Sequence, residues 1–199
     1  VTNPDEVQAA LEKTHKTFGN RLHAVVNCAG IGVARKIYNF RKSVPHDAEA
    51  FENVMKVNVT GTYHVCRLSV PFLAQAYGEP DPQTSGVIVN TASIAAFEGQ
   101  TGQTAYAASK GAIVAMTLPM ARDLGDRNIR VVTIAPGLFD TPLLSSLPEA
   151  VRTHLCKAVP YPSQLGHPEE FGHMVQFVME NPYINGEVIR LDGALRMPP

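Results

Sequence analysis

Four short apolar runs divide the chain, and each one ends in small or polar residues. The runs cover residues 22–26, 87–89, 129–134 and 187–191 and are rich in Val and Ile. Nearly continuous apolar runs of this length are typical of strands buried on both faces of a parallel sheet. Because the segments between them are long enough for crossover helices, the pattern predicts an α/β fold built from βαβ units.

The segments between the runs show helical periodicity. From Phe51 to Ser69, apolar and small residues recur every three or four positions, and Asp47 precedes them as a suitable N-cap. Pro119 lies inside a later helical segment and is expected to kink that helix or to end its regular part. Helices are predicted near 51–69, 102–124, 149–158 and 168–180, with loops at 31–46 and 77–86.

Composition and charge exclude several classes of protein. The 199 residues are 45% hydrophobic and 18% charged, which fits one globular domain. The net charge of −1 predicts no general attraction to nucleic acid or to acidic membranes. The three cysteines form no CxxC pair and the seven histidines show no metal-ligand spacing, so neither a disulfide scaffold nor a metal site is expected. No apolar run approaches the ~20 residues of a membrane span.

Small and polar residues follow three consecutive predicted strands, at the sheet edge where ligands of open parallel sheets bind. These segments are 27–30, 90–93 and 136–141. Small side chains allow a ligand to approach the backbone closely. Each segment alone is explained as well by a simple turn, but three of them in one chain predict a pocket.

Tyr106 and Lys110 are a candidate catalytic pair. At positions i and i+4 of one predicted helix, they share a face. A free tyrosine has a pKa of roughly 10, which is too high for a good base near neutral pH. A cation within reach is expected to lower that pKa, and Lys110 supplies one. The pair predicts an acid/base group for an alcohol or a carbonyl, although a lone Tyr-x-x-x-Lys is common by chance.

Ser93 and Asn58 are two further candidates. Ser93 ends the second run thirteen residues before Tyr106, and its hydroxyl is placed to bind a substrate oxygen. The alternative is a turn serine that bonds its own backbone. No GxSxG surrounds it, so a hydrolase is not favoured. Asn58 lies on an apolar stripe, where it either holds a water that leads toward Lys110 or serves as a structural amide.

These residues together resemble the short-chain dehydrogenase/reductase family, in order and spacing through the whole chain. The resemblance implies a Rossmann-type, doubly wound parallel sheet in a single domain over residues 1–199. It also implies a catalytic tetrad of Asn58, Ser93, Tyr106 and Lys110. The motifs that carry it are Asn27-Cys28-Ala29-Gly30, Asn58, Ser93, Tyr106-Ala107-Ala108-Ser109-Lys110 and Pro136-Gly137.

Three longer segments, 90–100, 134–144 and 185–193, are similar to a mitochondrial, NAD-dependent branch of that family. This resemblance implies a homotetramer of the mitochondrial matrix that oxidises 3-hydroxyacyl-CoA, and some hydroxysteroids, to the ketone. It also implies a non-catalytic role in a tRNA-processing complex, with ribonuclease P and tRNA methyltransferase partners. The implied cofactor contacts are Val1, Cys28, Tyr106, Lys110, Phe139 and Thr141, and the implied substrate contacts are Ser93 and Gln103.

The family's glycine-rich turn and its first three strands have no counterpart in these residues. That half of the domain holds the cofactor pyrophosphate at a helix N-terminus and carries the acidic residue that selects NAD over NADP. We therefore expect the sheet to be incomplete at its N-terminus, without the first βαβ half. We also expect an exposed apolar edge along the first strand and poor dinucleotide binding by these residues alone.

Two segments are candidates for the substrate side of the site. Residues 138–165 are rich in Leu, Pro and Ser, which suits either a mobile apolar lid or an amphipathic helix packed on the sheet. The loop at 31–46 carries a run of basic residues, which is either a solvated face or a contact for the CoA moiety, RNA or a protein partner. The basic residues are Arg35, Lys36, Arg41 and Lys42.

Overall fold

Six strands are present in the computed structural model, which describes residues 1–75, 86–145 and 149–199. In chain order they are β1 (Ala24–Asn27), β2 (Tyr38–Asn39), β3 (Val44–Pro45), β4 (Gly86–Thr91), β5 (Ile129–Pro136) and β6 (Val188–Leu191). Four of them form a parallel sheet in the order β1-β4-β5-β6, while β2 and β3 pair as an antiparallel hairpin. Each of the four apolar runs is thus a strand of one parallel sheet, which confirms the α/β prediction.

Seven α-helices surround the strands. They are α1 (Pro4–Thr17), α2 (Ala48–Met55), α3 (Thr62–Gln75), α4 (Thr104–Leu124), α5 (Pro142–Ser145), α6 (Glu149–Ala158) and α7 (Pro168–Glu180) within the described residues. The helix α1 was not predicted, because it buries only Val7 and Leu11 and most of its other residues are polar. Its start is nevertheless well defined, since the Asn3 side chain accepts a hydrogen bond from the backbone N–H of Asp5.

The core lies on both faces of the two central strands, β4 and β5. On one face, Ile88 belongs to an apolar cluster with Leu73 of α3, and both side chains are fully buried. On the opposite face, Val89 clusters with Val178 of α7. Helices therefore cover both sides of the parallel sheet, as the Rossmann-type prediction requires.

The predicted helix at 51–69 is divided by a π-helical turn at Lys56–Gly61. Asp47 caps α2 as expected, by accepting a hydrogen bond from the backbone N–H of Glu49. The buried stripe then repeats every four residues through Val54, Asn58 and Thr62, which suits the wider π turn. Such turns occur frequently at functional sites, and this one contains a predicted site residue.

Pro119 does not end its helix. The helix α4 continues to Leu124, five residues beyond the proline, so of the two expected effects an end of the helix is excluded and a kink stays a prediction. The proline cannot donate a hydrogen bond to the carbonyl four residues earlier, at Ala115. Both residues lie on the exposed face of the helix, where water can satisfy that carbonyl.

Two other segments differ in detail from the predicted pattern. The predicted loop at 31–46 contains the β2–β3 hairpin, whose two-residue strands are too short to show alternation. The predicted loop at 77–86 lies outside the described residues, except for Gly86, which begins β4. The segment 138–165 contains α5 and α6, and the lid remains a hypothesis.

The first strand forms one edge of the sheet. Among the described residues its only partner strand is β4, and the Val26 side chain is 40% exposed. This agrees with the expected apolar edge. The opposite ends of the strands matter more for function, because the carboxyl ends of β1, β4 and β5 bring the three predicted pocket segments to one side of the sheet.

Candidate active site

Ser93 lies two residues beyond the end of β4 and begins a 3₁₀ turn at Ile94–Ala96. Its hydroxyl oxygen accepts a hydrogen bond from the backbone N–H of Ala95 at 3.1 Å. The same hydroxyl lies close enough to the Tyr106 phenol to lower the pKa of that phenol. The two interpretations of Ser93 are therefore compatible, because the backbone bond fixes the side chain that faces the tyrosine.

The Tyr106 phenol has a pKa above its ordinary value. Burial raises that pKa because it disfavours the charged tyrosinate, and the hydrogen bond from Ser93 opposes the effect. The expectation that Lys110 lowers the pKa is not met in this structure. The ammonium lies 5.8 Å from the centre of the Tyr106 ring, and burial is the largest influence on the pKa of the phenol. Any lowering of the phenol pKa requires further positive charge or further hydrogen bonds to its oxygen.

Lys110 is buried one helical turn after Tyr106. Its Nζ donates a hydrogen bond to the carbonyl oxygen of Thr91 at 2.8 Å, which ties α4 to the end of β4. Burial lowers the pKa of Lys110 to about 8, and the nearby Cys28 opposes this effect. The lysine is therefore mainly charged at neutral pH, yet it is close enough to its titration range to exchange a proton.

Asn58 is a buried amide that is hydrogen-bonded through both its oxygen and its nitrogen. Its Oδ1 accepts from the backbone N–H of Ile31 at 2.8 Å, and its Nδ2 donates to the carbonyl of Ile31 and to the Ser109 hydroxyl. The Ser109 hydroxyl donates in turn to the carbonyl of Tyr106 at 2.7 Å. Asn58 thus connects the loop after β1 to α4. Because both Nδ2 hydrogens are taken, only one lone pair of Oδ1 is left for the water proposed from the sequence.

The loop after β1 packs directly on the catalytic pair. A Cβ atom placed on Gly30 would lie 3.4 Å from Asn58 Oδ1 and 3.5 Å from Lys110 Nζ. One placed on Gly32 would lie 3.6 Å from the Tyr106 ring. The four residues of the tetrad that the family resemblance implies, together with this loop, therefore form one cluster at the carboxyl end of the sheet.

Two further residues were predicted to contact the cofactor, Cys28 and Val1, and each packs against a different neighbour. Cys28 is exposed and its Sγ lies 3.9 Å from the Thr91 hydroxyl. Val1 packs on Gly61 of the π-helical turn. These positions are compatible with cofactor contacts, which remain predictions.

Three further predicted residues make no described contact with Tyr106 or Lys110. The ring of Phe139 packs against Gly166, and the Thr141 hydroxyl donates to the carbonyl of Phe139 at 3.5 Å. The Gln103 side chain accepts from the backbone N–H of Gln100 at 3.0 Å. Their roles in cofactor or substrate binding stay predictions.

Sequence analysis missed two residues that support the site, Thr91 and Ser109. Both lie inside the motifs named above, immediately beside Ala92 or Lys110. Thr91 meets Lys110 through its backbone carbonyl, which no side-chain pattern in the sequence reveals. A hydroxyl at 109, beside the tyrosine and lysine on the buried face of the helix, could have indicated a partner for Asn58.

Comparisons with known proteins assign the class. The family described as enoyl-(acyl carrier protein) reductase matches residues 1–195. The chain is 58% identical over its whole length to the 3-hydroxyacyl-CoA dehydrogenase type-2 of Rattus norvegicus, and it covers 76% of that protein. The chain therefore belongs to the short-chain dehydrogenase/reductase family and is an oxidoreductase of that class.

Solved structures agree. A 3-hydroxyacyl-CoA dehydrogenase type-2 from Mycobacterium avium superposes with a TM-score of 0.90 at 42% identity, over the whole chain and 75% of that structure. A short-chain dehydrogenase/reductase from Burkholderia xenovorans gives a TM-score of 0.80 at 30% identity, over 96% of this chain and 72% of its own. The fold of the described residues is thus that of the family.

A nicotinamide cofactor follows from the family, and the Lys110 environment fits it. The ammonium has three N–H donors, and among the described residues the Thr91 carbonyl accepts one of them. Two donors are left for the paired hydroxyls of a ribose, next to the small residues Cys28 and Gly30. Neither a cluster of metal-ligating side chains nor a helix capable of crossing a membrane is found in the described residues.

Proposed function

We propose that the protein oxidises the hydroxyl group of 3-hydroxyacyl-CoA to a ketone, with NAD as the hydride acceptor and Tyr106 as the acid/base group. The observation that carries this proposal is the pair of hydroxyls on Ser93 and Tyr106, held beside the buried ammonium of Lys110. The names of the relatives support the substrate class. Activity on hydroxysteroids belongs to the same proposal, because the reacting secondary alcohol is the same group.

In the proposed oxidation, Tyr106 accepts the proton of the substrate hydroxyl. The bound nicotinamide ring supplies the hydride acceptor and a positive charge. Ser93 donates a hydrogen bond to the substrate oxygen and holds it beside the phenol. Because burial alone raises the pKa of Tyr106, its function as a base depends on positive charge near it.

Lys110 has two tasks in this scheme. Its charge stabilises the tyrosinate, and its two remaining N–H groups orient the cofactor ribose. With a pKa of about 8, it also accepts or releases a proton within the range in which the enzyme would operate. The structural amide of Asn58 keeps the loop after β1 against the helix that carries both residues. A proton-relay water held beside Asn58 remains part of the proposal.

The basic hairpin is the proposed contact for the CoA moiety. A cavity of about 660 Å³ lies among the residues of this segment, and its lining includes Arg35, Lys36 and Lys42 together with Asp47. The Arg35 backbone N–H donates to the carbonyl of Gly102 at 2.9 Å, so the hairpin is attached to the loop that precedes the catalytic helix. Three cations at this position suit the phosphates of a CoA thioester whose acyl end reaches Tyr106.

We also propose that the protein acts in the mitochondrial matrix as a homotetramer. Support for close association comes from the small residues Ala108 and Ala115 on the exposed face of α4, together with Leu118, which is 45% exposed. Sedimentation analysis of the full-length protein should give a species of four subunits, and an Ala115→Glu variant should dissociate. A wild-type monomer would contradict this assembly.

A second proposed function is a scaffold role in a tRNA-processing complex with ribonuclease P and tRNA methyltransferase partners. The specific observation is the β2–β3 hairpin, where Phe40 is 85% exposed beside the basic residues Arg41 and Lys42. An exposed aromatic residue flanked by cations is typical of an interface. This role predicts that a Phe40→Ser variant loses the partners while Tyr106→Phe retains them. The opposite result would contradict it.

The test of the main proposal is a substrate and cofactor panel with the full-length protein. We expect reduction of NAD with short-chain and branched 3-hydroxyacyl-CoA, and weaker reduction with hydroxysteroids. NADP should be a poor acceptor. Failure to oxidise any 3-hydroxyacyl-CoA, with NAD binding demonstrated separately by calorimetry, would contradict the proposal.

A further inference from the structure

The loop that carries Ser93 is fastened to the C-terminal part of the chain by Glu98. The Glu98 Oε1 accepts a hydrogen bond from Arg190 Nη1 at 2.8 Å, and Oε2 accepts from the backbone N–H of Met197 at 3.0 Å. The bond from Arg190 lowers the pKa of Glu98, so this carboxylate is ionised at neutral pH. One side chain therefore joins the loop to strand β6 and to the segment that follows it.

The Arg190 guanidinium is itself fixed from several directions. Its Nε donates to Asp192 Oδ2 at 2.7 Å, and its Nη2 donates to the carbonyl of Leu195 at 3.0 Å. It also lies 5.4 Å from the centre of the Phe97 ring. An arginine held at this many points is a rigid anchor, because few of its rotamers are compatible with all of them.

Apolar packing follows the same connection. Ile94, which follows Ser93, belongs to a buried cluster with Val159 and Leu195. The Gln100 side chain adds a hydrogen bond to the carbonyl of Pro198 at 3.2 Å. The segment 195–198 thus braces the loop between Ser93 and Tyr106, and Glu98 is the ionised side chain at the centre of that brace.

We infer that Glu98 is a positioning residue for the reaction, which holds the Ser93 hydroxyl against the Tyr106 phenol by fastening their shared loop to Arg190 and to the backbone of Met197. This inference rests on the proposed function, because it assigns Glu98 an effect that acts through Ser93. Glu98 touches neither the substrate oxygen nor the cofactor in this role. Its backbone N–H donates to the carbonyl of Ile94 at 3.0 Å, so a shift of Glu98 is passed directly to the turn that begins at Ser93.

The test is a double-mutant cycle on the single-turnover rate of hydride transfer in the full-length protein. Glu98→Ala should lower this rate about 10-fold, and Ser93→Ala should lower it about 100-fold. Because Glu98 acts through Ser93, the double variant should be no slower than Ser93→Ala alone. Glu98→Gln keeps an acceptor for Met197 and should recover part of the rate. Asp126→Ala, which removes an exposed ion pair with Arg127, is the matched control and should leave the rate unchanged.

Binding and folding measurements separate positioning from general damage. The dissociation constants for NAD and for acyl-CoA, and the circular dichroism spectrum, should change little in Glu98→Ala and Glu98→Gln. If the rates of the two single variants multiply in the double variant, or if neither Glu98 variant is slower than wild type, the inference is wrong. If Ser93→Ala itself has the wild-type rate, the proposed function fails instead.

Discussion

The two sides of the candidate site are built differently. On the catalytic side, buried polar groups are bonded to one another, as in the bond from Lys110 Nζ to the Thr91 carbonyl at 2.8 Å. On the hairpin side, Phe40 is 85% exposed, and the ion pair between Arg35 and Asp47 is 3.7 Å long with both side chains more than half exposed. Exposed pairs of this kind contribute little to stability.

The difference suits a division of tasks, in which the buried side carries out the reaction and the exposed hairpin binds the substrate. Proton and hydride transfer require fixed geometry, which a buried and hydrogen-bonded cluster provides. Recognition of a large thioester tolerates an exposed and adaptable surface. Changes on the catalytic side should therefore reduce the rate or the stability, whereas changes on the hairpin should alter substrate affinity alone.

The largest effect is expected for Lys110→Met. It removes the cation beside Tyr106 and the donors for the cofactor ribose while keeping a side chain of similar length. We expect the turnover number to fall about 1000-fold at neutral pH, in the range seen for acid/base groups. Lys42→Met on the hairpin is the matched control and should retain most of the turnover number. Equal losses in the two variants would contradict the division of the site.

Two asparagines allow a stability comparison between the sides. Asn58→Leu leaves the buried Ser109 hydroxyl and the partly buried backbone of Ile31 without their amide partner, and should cost about 3 kcal/mol in the free energy of unfolding. Asn39→Leu on the hairpin removes only exposed turn bonds to Arg41 and Lys42, and should cost less than about 1 kcal/mol. Urea denaturation measures both values, and similar costs would show that the hairpin is as tightly built as the catalytic side.

Charge reversal tests the hairpin directly. Lys36→Glu combined with Lys42→Glu places two anions in the cavity and should raise KM for acyl-CoA about 10-fold through repulsion of its phosphates. The turnover number and KM for NAD should stay near their wild-type values. Lys13→Glu combined with Lys16→Glu, on the exposed face of α1, is the control of equal charge. An unchanged KM for acyl-CoA in the hairpin variant would exclude the proposed CoA contact.

The smallest effect is a pH dependence of stability. The pKa of Lys110 is about 8 in the folded protein and 10.5 ordinarily, so the folded state binds fewer protons between these values and stability rises with pH there. Burial raises the pKa of the Cys66 thiol from 9.0 to about 12, so stability falls above pH 9 through this group. The net rise is therefore confined to about pH 8–9 and amounts to about 1 kcal/mol.

Lys110→Met should remove that rise. Urea denaturation of wild type and variant at about pH 7.5 and pH 9 measures it, and Lys157→Met on the exposed surface is the control. A rise of the same size in Lys110→Met would show that the lysine is not the titrating group.

The sheet could be predicted from the sequence because its signal is local. Val and Ile runs such as 129–134 need burial on both faces whatever surrounds them. The helix α1 could not be predicted, because it buries only Val7 and Leu11. The π-helical turn could not be predicted either, because it differs from an α-helix only in that its backbone hydrogen bonds span five residues instead of four. Local patterns describe elements better than they describe irregularities within them.

In the site, too, contacts between residues close in sequence could be predicted, whereas contacts between distant residues could not. Tyr106 and Lys110 are one helical turn apart, so their contact follows from spacing alone. Glu98 and Arg190 are 92 residues apart, and only the folded chain shows that they are paired. The pKa of Tyr106 was expected to be lowered and is raised, because the degree of burial of a single phenol cannot be read from its neighbours in the sequence.

The most direct test of the account is the single-turnover rate of hydride transfer from a 3-hydroxyacyl-CoA in Tyr106→Phe, measured against Tyr183→Phe. Tyr183 is 98% exposed, so its variant controls for the loss of a phenol that has no part in the site. The account predicts a fall of about 1000-fold for Tyr106→Phe, with NAD affinity retained, and the wild-type rate for Tyr183→Phe. A Tyr106→Phe rate within about threefold of wild type would show that another group moves the proton.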